Sequence, residues 1–139
     1  MSDPATSLPV EFLFTMHAML EKPIVIPNGP DGTRVLVGVA GGTATGPRIN
    51  ATLLRAGGDW VTVRANGVPR LDVRLTIKTD DGAMIYMEYT GLLGADNVGR
   101  VVPTFQTSHE NYTWLNDVQA IGIGTVGVDE VTYQVYAIA

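Results

Sequence analysis

The sequence predicts an all-β domain, and within that class a closed, up-and-down antiparallel β-barrel of about eight strands with at most a short helical turn. One observation is the strict alternation of apolar and polar side chains over residues 70–79. Another is that the 16 glycines and 8 prolines fall mostly between short apolar runs, as they do in many-stranded β proteins. No long segment has the 3.6-residue period of an amphipathic helix, so the chain reads as a series of short strands.

The firmest predicted strand, residues 70–79, leads into a second strand through Asp80, Asp81 and Gly82. Apolar side chains occupy every second position of residues 70–79, so one face is expected to be buried and the other polar. Glycine tolerates the positive φ that a tight turn requires, and residues 83–92 alternate again. The two strands are predicted to form an antiparallel hairpin.

The remaining strands are predicted from shorter runs separated by turn signals that are rich in glycine, asparagine and aspartate. In chain order these strands are residues 11–19, 33–39, 49–54, 59–64, 100–107, 118–124 and 131–138. The turn signals lie at residues 28–32, 56–58, 66–67 and 94–97. A helical turn is expected at residues 110–116, where no alternation is found. We expect residues 10–139 to form a single β-barrel domain and residues 1–9 to be a flexible N-terminal segment.

Apolar side chains on both faces of the first strand favour a barrel over a β-sandwich. Phe12, Phe14 and Met16 share one face, while Leu13 and Met19 lie on the other. In a sandwich of this size the second face would be wet, which would expose Leu13 and Met19. A barrel of about eight strands avoids this exposure, and its interior is just wide enough for one small ligand.

The composition argues against several classes of function. A net charge of −5 disfavours binding to nucleic acid and to anionic membrane surfaces. The absence of cysteine removes thiolate catalysis and cysteine-ligated metal sites, and it makes the cytoplasm the expected location. No apolar run approaches the ~20 residues that a membrane-spanning helix needs, so no membrane association is expected.

Two features that suggest a cofactor or metal are better explained without one. Residues 122–127 fit the dinucleotide pattern GxGxxG, but the residues that follow alternate as a strand instead of opening a helix. The two histidines, His17 and His109, have no second ligand at metal-binding spacing. We therefore expect neither a cofactor nor a metal.

The candidate catalytic residues are charged or phenolic side chains that stand near aromatic ones. We assign Asp59 as a general base and Arg74 with Tyr89 as donors to a developing oxyanion. Trp60 and Trp114 are assigned as apolar walls, although both could equally be core residues. For Asp59, Arg74 and Tyr89, a position inside the barrel and a position on a solvated outer face both remain open. Burial would raise the pKa of Asp59, whereas a contact with an arginine would lower it.

Five spaced motifs resemble one protein family over nearly the whole chain. They are Gly46-Pro47-Arg48, Gly57-Gly58-Asp59-Trp60, Leu71-Asp72-Val73-Arg74, Thr79-Asp80-Asp81-Gly82-Ala83-Met84-Ile85-Tyr86 and Tyr112-Thr113-Trp114-Leu115-Asn116. In these motifs the chain is similar to domain-of-unknown-function family 3237, also called uncharacterised protein family 0311. The resemblance implies an antiparallel barrel of the calycin or allene-oxide-cyclase kind that is often a homo-oligomer, with no general activity assigned. For this chain we expect a homo-oligomer, and a dimer first. The family's characteristic positions supply the ligand-binding candidates Arg48, Trp60, Asp72, Tyr86, Trp114 and Asn116.

The leading hypothesis is a cofactor-independent barrel that binds a small apolar or aromatic oxygenated metabolite and catalyses its isomerisation, cyclisation, hydration or elimination. Such chemistry needs only a placed base, a hydrogen-bond donor and a dry pocket. One alternative is a non-catalytic carrier or sensor that holds a ligand in the same barrel. Another is a structural homo-oligomer whose barrel is filled by side chains and binds nothing.

Overall fold

The computed structural model describes residues 3–139, which contain ten β-strands and one short 3-10 helix. The strands are β1 (Val10–Leu20), β2 (Ile24–Gly29), β3 (Gly32–Thr45), β4 (Asn50–Val63), β5 (Pro69–Thr79), β6 (Met84–Leu93), β7 (Val98–Val101), β8 (Thr104–Gln106), β9 (Ala120–Val126) and β10 (Glu130–Ile138). The helix spans Thr113–Asp117, close to the helical turn that the sequence predicts. The described chain contains no helix with the length and hydropathy that a membrane crossing requires.

The strands form one antiparallel sheet that closes on itself. Neighbours follow the order β1-β10-β9-β7-β6-β5-β4-β3, and β3 then pairs with β1. Strand β2 pairs with β3 outside this ring, and β8 pairs with β6 beyond the end of β7. The closed barrel therefore has eight strands with two extra ones, which confirms the predicted fold class.

The hairpin of β5 and β6 matches the sequence prediction, whereas the two strands before it are longer than predicted. Residues 49–54 and 59–64 belong to the single strand β4, although residues 56–58 carry a turn signal. Gly57 has a φ of 130°, and the register between β4 and β5 shifts between Leu53 and Gly57. The glycine therefore bends the strand without reversing it, as expected of a β-bulge.

Two further strand boundaries differ from the prediction. Strand β2 (Ile24–Gly29) lies where the sequence predicts only a connection. Its apolar run is limited to residues 24–26, does not alternate with polar residues, and is exposed in the structure. Residues 100–107 divide into β7 and β8. Pro103 lies between them, and proline interrupts a strand because it lacks an N–H group.

The sequence argument from β1 for a barrel is correct about the burial of Leu13 and wrong about that of Met19. A register shift between Phe12 and Phe14 marks a bulge opposite β10. Because of this bulge, Leu13 and Phe14 are both buried, with exposed fractions of 3% and 0%. Met19, which the barrel was also expected to bury, is 41% exposed. The bulge, and not a doubly buried strand, places Leu13 in the core.

The interior of the barrel has a filled half and a hollow half. We call the end at which Val63 pairs with Pro69 the upper end, and the end at which Ala51 pairs with Thr79 the lower end. Large side chains fill the lower half with exposed fractions of 2% or less; they include Phe14, Met16, Ile77, Ile85, Met87 and Val135. None of these lines the cavity that occupies the upper half. The candidate site lies in that cavity.

Candidate active site

The upper half of the barrel encloses a cavity of about 300 Å³ with a predominantly aliphatic wall. Strands β3, β4 and β5 supply much of this wall through Val35, Val37, Val61, Val63, Leu71 and Val73. The volume is at the lower end of the range for small-molecule sites, which are concave and largely apolar. Such a cavity needs only a few polar groups to orient a ligand.

Strand register explains how Asp59 and Tyr89 come to face this cavity together. Val37 pairs with Asp59, Asp59 with Val73, and Val73 with Tyr89. Side chains of directly paired residues lie on the same face of a sheet. Because Val37 and Val73 face the interior, Asp59 and Tyr89 face it too, and all of them line the cavity.

Tyr133 of β10 completes this group from the opposite wall. Its ring lies against that of Tyr89, with the centroids 5.7 Å apart and the planes at 59°. Gly99 and Gly122 leave room for it, because a Cβ atom at Gly99 would collide with the Tyr133 hydroxyl and one at Gly122 would contact the ring. We call Asp59, Tyr89 and Tyr133 the polar layer.

The polar layer lies deep in the cavity. On β4 the cavity wall continues from Asp59 through Val61 to Val63 at the upper end. Four residues of a strand span about 13 Å, which corresponds to about 10 Å along the axis of a barrel with tilted strands. Below the layer, Leu75 forms part of the wall and Met87 is fully buried. The polar groups therefore stand near the closed end.

The environment of Asp59 makes its carboxyl group basic. Its Oδ1 accepts a hydrogen bond of 3.0 Å from the backbone N–H of Asp72. Burial raises the pKa of Asp59 to about 6, this hydrogen bond opposes the rise, and the nearby Asp72 carboxylate adds to it. Desolvation is the largest effect, because the aliphatic wall solvates a carboxylate poorly. The group can therefore both accept and donate a proton near neutral pH.

The two tyrosines stay protonated under the same conditions. Burial raises the pKa of Tyr89 well above its usual value, and its electrostatic interactions with Tyr133 and Asp59 add to the rise. Burial, followed by the charge of Asp59, raises the pKa of Tyr133 to about 12. Neither shift involves a hydrogen bond to another described residue. Both phenols can thus donate a hydrogen bond to an oxygen atom of a ligand.

Arg74, Asp72 and Trp60, which the sequence suggests as site residues, lie outside the cavity. Alternation along β5 turns Leu71 and Val73 inward, so Asp72 and Arg74 face outward. The Arg74 guanidinium lies 5.6 Å from the centre of the Trp60 ring on this outer face. Arg74 therefore cannot stabilise an oxyanion in the cavity, and Trp60, 37% exposed, is not a wall of it.

Tyr86 and Asn116 also lie away from the cavity, in a shallow depression of the outer surface. The Tyr86 hydroxyl donates a hydrogen bond of 2.9 Å to a Glu88 carboxylate oxygen. The Asn116 side chain accepts a hydrogen bond from the Thr107 N–H at 2.8 Å and donates one to the Thr107 carbonyl at 2.9 Å. The two Asn116 hydrogen bonds hold the segment after β8 in place, which is a structural role for this side chain.

Arg48 and Trp114 pair with each other outside the cavity. The Arg48 guanidinium stacks 3.6 Å from the centre of the Trp114 ring, and its Nη1 lies 3.6 Å from a Glu11 carboxylate oxygen. The Trp114 Nε1–H donates to the Asn111 carbonyl at 3.1 Å. Of the nine site residues that the sequence suggests, the cavity therefore brings together Asp59 and Tyr89.

Tyr133 is the cavity residue that sequence analysis did not select. Its alternation with Val131 and Val135 indicates only that it shares their face. Gly99 and Gly122, which make room for it, lie on two other strands, so the pattern near Tyr133 carries no sign of them. Among the described residues, no group of three histidine, aspartate or glutamate side chains is arranged to hold a metal ion.

Comparisons with known proteins agree with this architecture. A protein from Rhodopseudomonas palustris (strain TIE-1), named UPF0311 protein, is 28% identical, and the alignment covers 95% of this chain and 97% of that protein. The crystal structure of a β-barrel-like protein from Acinetobacter baumannii AYE superposes with a TM-score of 0.90 at 25% identity, over the full length of both chains.

A third relative has a named activity. The hydroalkoxylation enzyme phnH of Penicillium herquei is 31% identical, and the alignment covers 81% of this chain and 72% of that enzyme. The family model described as protein of unknown function DUF3237 matches residues 8–102 and 94–138, which together are nearly the whole chain. The chain, with its eight-stranded closed barrel, belongs to the DUF3237 family.

Proposed function

We propose that the chain is a cofactor-free enzyme that adds a hydroxyl oxygen across a carbon–carbon double bond of a small, largely apolar metabolite and so closes a ring. The observation that carries this proposal is Asp59. It is the only carboxyl group among the described residues that line the cavity, and it shares this aliphatic chamber with two neutral phenols. A buried carboxyl group with a pKa of about 6 is suited to proton transfer near neutral pH.

The proposed reaction moves one proton and needs no oxidant or reductant. The Asp59 carboxylate takes the proton of the attacking hydroxyl group while that oxygen bonds to one alkene carbon. The same carboxyl group returns a proton to the other alkene carbon, so one O–H bond and one π bond break while one C–O and one C–H bond form. Substrate and product are isomers, and Asp59 ends in the protonation state in which it began.

The rest of the cavity supports this step in two ways. Tyr89 and Tyr133 line the same cavity as protonated phenols, and a hydrogen bond from either to a substrate oxygen on which negative charge develops would stabilise the transition state. The aliphatic wall keeps bulk water away from the reacting alkene, so that water does not compete with the substrate hydroxyl as the nucleophile. The hydroalkoxylation enzyme of Penicillium herquei, whose name describes this class of reaction, supports the assignment.

The cavity argues against one of the two alternative functions suggested by the sequence and is compatible with the other. A barrel filled by side chains receives no support, because the upper half holds a cavity of about 300 Å³. A non-catalytic carrier uses the same cavity and differs only in lacking turnover. Measured turnover therefore discriminates between carrier and enzyme.

The test compares wild type with Asp59→Asn, and with Asp117→Asn as a control that removes one negative charge from an exposed position on the short helix. Asparagine can still accept the hydrogen bond from the Asp72 N–H, so the fold around the site is kept. The substrates are alkenols and alkenyl phenols of about ten non-hydrogen atoms, a size estimated from the cavity volume of about 300 Å³ at roughly 30 Å³ per water-sized group. Reactions are run in D₂O and followed by mass spectrometry.

We expect wild type and Asp117→Asn to form an isomer that carries one deuterium on carbon. The rate should fall about 10²- to 10⁴-fold in Asp59→Asn, the usual range for loss of a general acid–base group. Substrate affinity should change little. Equal rates in all three proteins would exclude Asp59 as the proton-transfer group, and binding without turnover across the panel would favour the carrier.

A further inference from the structure

We propose that the cavity binds a neutral, elongated molecule head first, with a single hydroxyl or carbonyl oxygen at the polar layer and an aliphatic body that extends toward the upper rim. This inference rests on the proposed function, because it describes the substrate class of the same cavity. It commits to the orientation, the charge and the length of the ligand.

The distribution of polarity along the cavity sets the orientation. All three polar side chains of the layer lie near the closed end, about 10 Å below the rim by the strand geometry. Above them the wall is aliphatic on every side, through Val61, Leu71, Leu93 and Val131. A ligand that entered tail first would leave its oxygen among these side chains without a partner, at the cost of an unpaired buried polar group.

The arrangement of charge selects a neutral head group. No arginine or lysine lines the cavity among the described residues, and Arg74 lies outside it. A carboxylate or phosphate would therefore face Asp59 with no counter-charge. An ammonium group would be attracted to the Asp59 carboxylate, but both ions would lose their hydration in the aliphatic cavity, and this cost can exceed the gain from pairing. An ammonium group also has only donors and cannot accept from the two phenols, whereas a hydroxyl group can accept from a tyrosine and donate to Asp59.

The rim determines what happens to the far end of the ligand. Val128, in the connection between β9 and β10, lines the opening and is 97% exposed. Pro23 and Pro69 lie at the same end. A chain that is longer than the cavity therefore reaches an apolar rim and then water. Affinity should rise with length until the cavity is full and change little afterwards.

The test measures affinity of the 1-alkanols from hexanol to tetradecanol by isothermal titration calorimetry at pH 8, with three head-group series as comparisons. These are the n-alkanes with matched cosolvent, the n-alkanoates and the n-alkylamines. Each added methylene should tighten alkanol binding about fourfold up to the length of the cavity. Alkanols should bind at least tenfold tighter than alkanes, alkanoates or alkylamines of the same length.

Two variants locate the head group. Asp59→Asn should tighten alkanoate binding at least tenfold, because it removes the negative charge that the carboxylate would meet, and should leave alkane binding unchanged. Asp117→Asn should alter neither. In the Tyr89→Phe, Tyr133→Phe double variant, the preference for alkanols over alkanes should be reduced, because Asp59 alone still pairs with the hydroxyl group, while the dependence on chain length remains.

Three results would overturn the inference: alkanes that bind as tightly as alkanols, alkylamines that bind more tightly than alkanols, or alkanoate binding that is equal in wild type and Asp59→Asn. The proposed function is judged separately, by isomer formation in D₂O. The selectivity pattern without turnover would reject the enzyme and keep the ligand class. Turnover without the selectivity pattern would keep the proposed function and reject the ligand class.

Discussion

The Asp59 carboxyl group couples the chemistry of the cavity to the stability of the barrel. The aliphatic wall disfavours its charged form, and the hydrogen bond from the Asp72 N–H recovers only part of the lost hydration. The folded protein therefore holds the Asp59 proton up to about pH 6, whereas an unfolded chain releases it near pH 3.8. Proton binding is thus linked to folding.

This linkage predicts that Asp59 makes the protein less stable as the pH rises. Between about pH 4 and pH 6 the folded state binds more protons than the unfolded state, so the free energy of unfolding falls with increasing pH. A pKa shift from 3.8 to about 6 corresponds to a loss of about 2 kcal/mol after some allowance for solvent screening. The loss is complete above the folded-state pKa.

Urea unfolding of wild type and Asp59→Asn from pH 3.5 to pH 7.5 measures this contribution. Asparagine does not titrate, so the variant should gain about 2 kcal/mol relative to wild type across this interval. The control Asp117→Asn should show the same pH dependence as wild type. A difference between wild type and Asp59→Asn that stays constant with pH would show that the Asp59 pKa is not raised.

At the scale of the element, strand β4 shows how bends shape the barrel. A Cβ atom at Gly57 would collide with the Arg74 carbonyl oxygen and lie 3.1 Å from the Leu75 Cα atom of the neighbouring strand. The φ of 130° at Gly57 is also strained for any other residue. Asp59 follows two residues later, so the bend sets how this carboxyl group enters the interior.

Gly57→Ala should therefore destabilise the protein more than a glycine substitution that introduces backbone strain without a steric clash. Gly67 is a suitable control, because its φ is 84° and a Cβ atom there would meet nothing within 4 Å. We expect the Gly57 variant to be less stable than Gly67→Ala by at least about 2 kcal/mol in urea unfolding. Equal losses would mean that β4 accommodates the extra methyl group.

Strand patterns account for what the sequence reveals about the site. The alternation of β5 indicates which of its faces is apolar. In a closed barrel the apolar face points inward, so Arg74, which lies on the opposite face, points outward. For Asp59 the local pattern is ambiguous, because Gly57 and Gly58 interrupt the alternation just before it. Its inward position follows from its pairing with Val37 and Val73, which is a long-range property. Sequence periodicity predicts faces within a strand and does not predict partners across strands.

At the scale of the whole molecule, the division of the barrel into a filled and a hollow half should appear in its stability. Val135 is fully buried among the side chains of the lower half, and Val73 is buried but lines the cavity. Removing methyl groups from a packed site costs transfer free energy and leaves a new cavity, whereas beside an existing cavity the second cost is small.

We therefore expect Val135→Ala to lower the free energy of unfolding by about 2 kcal/mol and Val73→Ala by about 1 kcal/mol. Urea unfolding of the two variants under identical conditions measures the difference. Val73→Ala should also enlarge the cavity and shift the alkanol length at which affinity levels off. Equal destabilisation, with no change in the preferred length, would contradict a division of the interior into two halves.

This division has an evolutionary consequence. Because the tightly packed side chains lie in the lower half, we expect residues around the opening to tolerate substitution without loss of the barrel, so that the ligand can change while the scaffold persists. A mutant library restricted to Val35, Val61, Leu71 and Leu93 should thus retain a large fraction of folded members and yield altered substrate preferences. Randomising Phe14, Ile77, Ile85 and Met87 should yield mainly unfolded ones. The upper end of the barrel can therefore acquire new ligands while the lower end preserves the fold.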